Sequence, residues 1–348
     1  MKSFEPGFIE SQPIPHQLIG TIRLLGEYKG REALFKEQTP QALETLRRVA
    51  VIQSTESSNR IEGITVPADR IRRLVEQKTT PQDRSEQEIA GYRDVLKTIH
   101  ANHRNIPFTP NIVLQFHRDL HYFVPQEGGR WKSTDNEIIE TRQDGTRIVR
   151  FSPVPAHLTP EAMNRFHKRF DDLWDRHEID HLLLIPSYVL DFLCIHPFLD
   201  GNGRMARLLT LLLLYRAGYE VGRYISLEKV VENHREGYYE SLYRSSQGWH
   251  EGTHSLLSWW EYFLGVVLLG TYREFEDRMN LMERGKGAKT ALVLDVLGRL
   301  AGDFSISDVR DRCPNVGIDL IRRIMRQERE SGLLECLGRG PDARWRRI

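Results

Sequence analysis

Two apolar runs constrain this chain more than anything else in it. LLLIPSYVLDFLCI at 182–195 and LLTLLLLYRAGY at 208–219 flank a polar dodecapeptide, HPFLDGNGRMAR, at 196–207. Each run reads as a buried helix, and neither reaches the roughly 18 uncharged apolar residues that cross a bilayer. The fold must therefore hold a compact polar loop at a helix–helix junction inside its core. That loop carries a histidine, an acid, two glycines, an asparagine and two arginines.

The remaining sequence is patterned to match. Helical periodicity runs over about 41–62, started by Thr39 and Pro40, and over 85–103, capped by Ser85. It returns over 109–124 and 159–177, where Thr109 and Thr159 read as caps, with Pro110 and Pro160 in the first helical positions. NEIIETRQDGTRIVRFSPVP reads instead as two β-prone pieces around Asp144-Gly145, a hairpin signal placed at about 137–151. Helices resume through 227–246 and 254–279, and ERGKGAK, with Gly285 and Gly287, marks a linker. The tail reads as three helices and then two short strands around a Gly-Pro-Asp turn, the pattern of a winged helix.

The expected fold is all-α: an N-terminal helical region (1–105) containing the 41–63 helix, a core (106–285) crossed by the hairpin, and a winged helix (289–348). A length of 348 residues suits two or three such units. Net charge is +1, so no global field draws nucleic acid or membrane, and such binding needs a local patch. Three cysteines are too few for a disulfide framework, and the N-terminus has no signal-peptide core. The expectation is a cytoplasmic, reduced setting.

A Gly-Asn-Gly between helices is ordinarily only a turn, because these residues tolerate positive φ. Here the glycines fall directly before a helix N-terminus, where free N–H groups carry partial positive charge and can close on an anion. Arg204 and Arg207, three residues apart, share one face of the first turn. Cations there oppose the helix dipole and need anionic partners, and a polyphosphate would meet both nest and arginines. Asp200 at the lip would repel phosphates unless a cation lay between, and Mg²⁺ held by one carboxylate and phosphate oxygens is the ordinary solution. His196, at the end of the preceding helix, can be neutral near pH 7 and take a proton from a hydroxyl. Phe198 anchors the loop by packing. Together these residues fit transfer of a phosphate-containing group to a hydroxyl. The P-loop spacing GxxxxGK[ST] is missing, which sets aside an ordinary NTPase. Cys194 and His196, two residues apart, face apart on a helix, which sets aside a thiol nucleophile.

The dodecapeptide resembles the signature of the Fic (filamentation-induced-by-cAMP) family, HxFx[D/E]GNGRxxR. His196, Phe198, Asp200, Gly201, Asn202, Gly203, Arg204 and Arg207 fill every fixed position. Fic proteins are helical, and most move AMP from ATP to a serine, threonine or tyrosine hydroxyl of a target protein. The resemblance implies that His196 is the base and that Asp200 holds Mg²⁺. It also implies that Gly201, Asn202, Gly203, Arg204, Met205, Ala206 and Arg207 cradle the phosphates of ATP. Doc-like kinases carry a lysine where this chain has Gly203, which argues against phosphoryl transfer.

From spacing alone, Glu62 is either a solvated acid at a helix end or a partner for Arg204 or Arg207. Ser58 lies one turn before it and Gly63 takes the cap position. SSNRIEG at 57–63 resembles the family's inhibitory motif [S/T]xxxE[G/N], which implies that Glu62 pairs with Arg207 and forces ATP into an unproductive pose. The hairpin falls where the family has a flap onto which a target segment adds as a strand. EGYYESL matches the segment lining the adenine pocket, which puts Tyr239, and with it Tyr238, beside the base.

Expected partners are a target protein presenting its hydroxyl at the flap, the chain itself as a substrate, and a second copy in a homodimer. No membrane partner is expected. Residues 289–348 hold 12 Lys and Arg against 9 Asp and Glu, an excess of three. The helix bearing Arg322, Arg323, Arg326 and Arg329 is the candidate for a DNA groove, but so small an excess favours protein docking. Two rival functions stand beside AMP transfer. One is a same-fold enzyme that removes AMP or transfers UMP. The other is a winged-helix regulator that uses the core as a nucleotide sensor.

Overall fold

A computed structural model of the chain describes residues 2–348 except 39, 126–127, 142–145, 284–287, 301, 314–315, 339 and 341–342. A short turn of 3-10 helix (Lys2–Phe4) precedes α1 (His16–Gln38), α2 (Pro40–Ile61), α3 (Ala68–Val75), α4 (Arg84–Asn102) and α5 (Pro110–Leu120). The hairpin β1 (Ile138–Thr141) and β2 (Arg147–Phe151) leads to α6 (Thr159–Arg176), α7 (His181–Ile195) and α8 (Asn202–Arg216). There follow α9 (Leu227–Asn233), α10 (Arg235–Ser246), α11 (Leu257–Trp260), a π-helical stretch (Glu261–Leu268) and α12 (Leu269–Glu283). The tail is α13 (Ala288–Arg299), β3 (Phe304–Ser305), α14 (Ile306–Arg312), α15 (Ile318–Glu330), β4 (Leu334–Cys336) and β5 (Arg344–Arg347).

The two apolar runs become α7 and α8, packed on each other at the centre of the main core. Leu184, Ile185, Leu208, Leu209, Leu212 and Leu213 are fully buried there. The tail has its own core, built on Val293, Val309, Ile321, Met325 and Trp345. It forms a three-stranded antiparallel sheet with β5 between β3 and β4. None of the helices in the described residues is long and apolar enough to cross a membrane.

Helix starts differ from expectation in two places. Asp83, not Ser85, caps α4, and its side chain accepts the Glu86 N–H at 2.9 Å. Thr159 caps nothing: a 3-10 turn (Ala156–Leu158) runs straight into α6, and the Thr159 hydroxyl donates to the Pro155 carbonyl at 3.0 Å. Thr109 and Pro110 start α5 as expected. The stretch 227–246 divides at His234 into α9 and α10. The Thr39 cap, the Asp144-Gly145 turn, the glycines of the linker and most of the Gly-Pro-Asp turn lie outside the described residues.

The hairpin is antiparallel, pairing Ile139 with Val149 and Thr141 with Arg147. Among the described residues β1 pairs only with β2, so its outer edge is open. α2 packs on α9, α4 and α8, which brings its C-terminal end to the start of α8. Apolar residues such as Leu46, Ala50 and Ile61 are buried along α2, and between them the buried face carries small polar residues, Ser54, Thr55, Ser57, Ser58 and Asn59.

Candidate active site

His196 ends α7 in the left-handed region, with φ at 51°, and Gly201 starts α8 with φ at 82°. The loop between them is stapled by Asn202. Its Oδ1 accepts the Phe198 N–H at 3.0 Å and its Nδ2 donates to the Phe198 carbonyl at 2.8 Å. Phe198 is fully buried, as its packing role requires.

His196 Nδ1 lies 3.2 Å from the Leu193 carbonyl. A carbonyl can only accept, so Nδ1 carries the proton and Nε2 is the basic nitrogen. Burial, working against that hydrogen bond, pushes the His196 pKa down to about 4. The ring is therefore a free base at neutral pH. Burial pushes the Cys194 thiol well above its ordinary range, consistent with an inert packing role.

The N–H groups of Asn202, Gly203 and Arg204 open α8 and have no partner within the helix. The cup is narrower than the sequence reading. The Met205 N–H is already taken by the Gly201 carbonyl at 2.9 Å, and the Met205 and Ala206 side chains are buried in the core. Asn202 has its side chain engaged within the loop, so only its main chain can face a ligand.

Arg207 is buried and held by Ser58 and Glu62. Its Nε donates to Ser58 Oγ at 2.8 Å, and one terminal nitrogen donates to the Ser58 carbonyl at 2.8 Å and to Glu62 Oε1 at 2.8 Å. Burial, the largest influence, would lower its pKa, but Glu62 together with Tyr238 and Tyr92 outweighs it and holds the guanidinium above its ordinary value. Glu62 stays in place through a Schellman turn. Ile64 N–H donates to Asn59 O and Gly63 N–H to Arg60 O, both at 3.0 Å, with Gly63 at φ 82°. A Cβ on Gly203 would collide with the Glu62 carboxylate, so the glycine is what lets that acid close on the start of α8.

Arg204 has a different partner. It is 1% exposed and donates to Glu88 Oε2 at 2.7 Å, with Asp200 Oδ2 at 3.6 Å. Glu62 therefore serves Arg207 alone, and Glu88, absent from the sequence reading, serves Arg204. A signal for it existed: Glu88 stands on the same α4 stripe as Tyr92, Val95 and Ile99, all buried. Removing Glu88 would strand a buried cation, so Glu88→Ala is expected to lower the unfolding free energy by about 3–5 kcal/mol. Urea denaturation measures it, and a loss below about 1 kcal/mol would show that Arg204 is neutralised elsewhere.

Asp200 accepts the Gly201 N–H through Oδ1 at 2.6 Å, and its side chain is 58% exposed. Among the described residues no group of three or more metal-ligating side chains is assembled. One open carboxylate beside an anion cup fits a cation that arrives with phosphates, and does not fit a resident metal. Tyr239 is 45% exposed, with Arg235 over its ring at 5.5 Å. Tyr238 is interior, edge-on to Trp259 at 5.6 Å, and lines with Arg207 a small cavity of about 30 Å³.

The chain is similar to known proteins. The sequence pattern of the Fic/DOC family matches residues 107–214. A relative named protein adenylyltransferase Fic, from Culex quinquefasciatus, is 31% identical over 231 residues, 63% of this chain and 42% of the relative. One of the same name from Nematostella vectensis is 30% identical over 209 residues, 57% and 44% of the two chains. This chain thus spans less than half the length of those relatives. The crystal structure of a Fic family protein from Desulfovibrio desulfuricans G20 superposes with a TM-score of 0.61 at 22% identity, covering 97% of each chain. Fic-1 (residues 134–508) from C. elegans superposes at 0.58 with 19% identity, covering 76% of this chain and 73% of that one. These two likenesses speak to the fold.

Proposed function

This chain carries a Fic domain over residues 107–214, and on that premise we propose that it is a protein adenylyltransferase held in an inhibited state by Glu62. One observation carries the reading: a carboxylate already sits on Arg207 at the mouth of the α8 amides, where a phosphate would sit. The names of the relatives support AMP as the transferred group.

In this reading the N–H groups of Asn202, Gly203 and Arg204 hold the phosphates of ATP, and Arg207 takes the terminal phosphate once Glu62 leaves. Asp200 would hold Mg²⁺, which supplies positive charge against the phosphate oxygens. Tyr239 offers an aromatic face to adenine, and Tyr238 backs Arg207 from the interior. A target segment adds to the open edge of β1 and brings its hydroxyl to the base. The hydroxyl oxygen then bonds to the α-phosphorus, the bond from that phosphorus to the β-phosphate bridging oxygen breaks, and pyrophosphate departs. His196 Nε2 takes the hydroxyl proton. The tail's order of helices and strands supports a winged helix, and we read it as a docking module for protein rather than DNA.

The test is label transfer by the Glu62→Gly protein from ATP labelled on the α- or the γ-phosphate, and from α-labelled UTP. Protein-bound label from α-labelled ATP alone is expected. Label from the γ position would replace adenylyl with phosphoryl transfer, and label chiefly from UTP would replace the base.

A further inference from the structure

The peptide carbonyls around His196 are tied, one after another, to residues of α5 and of the segment that leads from it to β1. Lys132 is 4% exposed. Its Nζ donates to the Ile195 carbonyl at 3.2 Å and to Asn136 Oδ1 at 2.8 Å. Its main-chain N–H donates to the Pro197 carbonyl at 2.8 Å. Asn136 Nδ2 donates to the Phe198 carbonyl at 3.0 Å. His117 continues the series: its Nε2 donates to the Asp200 carbonyl at 3.1 Å while its Nδ1 accepts the Gly129 N–H at 2.9 Å. The His117 ring also stacks on Phe198, with centroids 3.7 Å apart.

In a trans peptide the C=O and N–H point opposite ways. Fixing the carbonyls of 195, 197, 198 and 200 therefore fixes the direction of each following N–H. It also holds His196 in a left-handed backbone that a non-glycine residue keeps only when its surroundings over-determine it. A buried ammonium is a costly way to do this, since an apolar side chain of similar length would pack there without a desolvation penalty. Burial pushes the Lys132 pKa down to about 8, so it still carries its charge at neutral pH.

We propose that Lys132 is a positioning residue for the base: its ammonium, with Asn136 and His117 beside it, pins the end of α7 and so sets the place from which His196 takes the acceptor's proton. This inference rests on the adenylyltransferase reading, and its test includes a measurement that does not.

Lys132→Met, made in the Glu62→Gly protein, keeps the length and removes the charge and donors. Self-labelling turnover is expected to fall about 10- to 100-fold, as displacement of a catalytic group by ~1 Å does. Binding of a magnesium complex of a non-hydrolysable ATP analogue, by calorimetry, should stay within about twofold, because the α8 amides and Arg207 are untouched. Asn136→Ala, a milder cut in the same clamp, should lower turnover several-fold.

NMR of the His196 ring gives the readout independent of activity. The charged groups facing the ring are Lys132, Glu62 and Asp200. Losing Lys132 should shift the ring resonances and raise the titration midpoint, even if the chain transfers nothing. Turnover of both variants within about twofold of the parent, or an unmoved His196 signal in Lys132→Met, would overturn the proposal. So would a turnover loss matched by equal weakening of analogue binding. A parent protein that takes no label, together with a shifted His196 signal, would overturn the adenylyltransferase reading alone.

Discussion

Glu62→Gly is expected to raise transfer of AMP onto the chain itself by about ten- to a hundredfold. The size follows from what Glu62 does at rest. Its carboxylate makes a charge-assisted hydrogen bond to a buried guanidinium at 2.8 Å, an interaction worth about 1.5–3 kcal/mol. Nucleotide must displace it before Arg207 can turn to a phosphate, and that difference is a factor of about 10–100 in the productive population. Arg207 keeps two hydrogen bonds to Ser58 in the variant, so the stability loss should stay below that of stripping a buried cation bare. Gel quantification of label from α-labelled ATP measures the effect. Equal labelling of wild type and variant would mean that Glu62 restrains nothing.

The second large effect is the loss of the base. His196→Ala in the Glu62→Gly protein should lower turnover by about 10²–10⁴-fold while nucleotide binding holds, because the imidazole acts on the acceptor's proton and not on the phosphates. The pH dependence follows from burial. His196 titrates at about 4 with Glu62 present, burial being the main cause, and the Glu62 charge itself works to raise that value. The reactive, neutral form therefore persists as pH falls through the range where an ordinary histidine protonates. The kcat/KM of the Glu62→Gly protein should be flat from pH about 7.5 to about 5.5, where an unperturbed imidazole would lose most of its base form. A half-drop near pH 6.5 would show His196 in open solvent, or another residue acting as base.

The site was legible where sequence and chemistry are local. Two apolar runs with a polar junction force a loop between buried helices, and α7 and α8 deliver it with Phe198 buried and Leu199 and Asp200 at the surface. Glycine after Glu62 signalled a helix end, and the Schellman turn at Gly63 is that end. What stayed hidden depends on distant partners. Glu88 meets Arg204 from a helix 116 residues away in sequence, and only its place on an apolar stripe hints that it is buried. Lys132 carries no signal in the sequence, because nothing in a single lysine announces that its ammonium will be enclosed. The cap of α4 was missed because Asp83 and Ser85 are both good capping residues two positions apart, and the choice lies with the chain's entry direction. Helix α3, a single short amphipathic piece after Pro67, is held by tertiary packing of Ile71, Leu74 and Val75 rather than by propensity.

The most direct measurement is a crystal structure of the Glu62→Gly protein with Mg²⁺ and a non-hydrolysable ATP analogue. The expected density has phosphate oxygens on the N–H groups of Asn202, Gly203 and Arg204, the terminal phosphate on Arg207, and the cation between them and Asp200. An empty cup with Arg207 still turned to Ser58, and the nucleotide bound elsewhere or absent, would contradict the account.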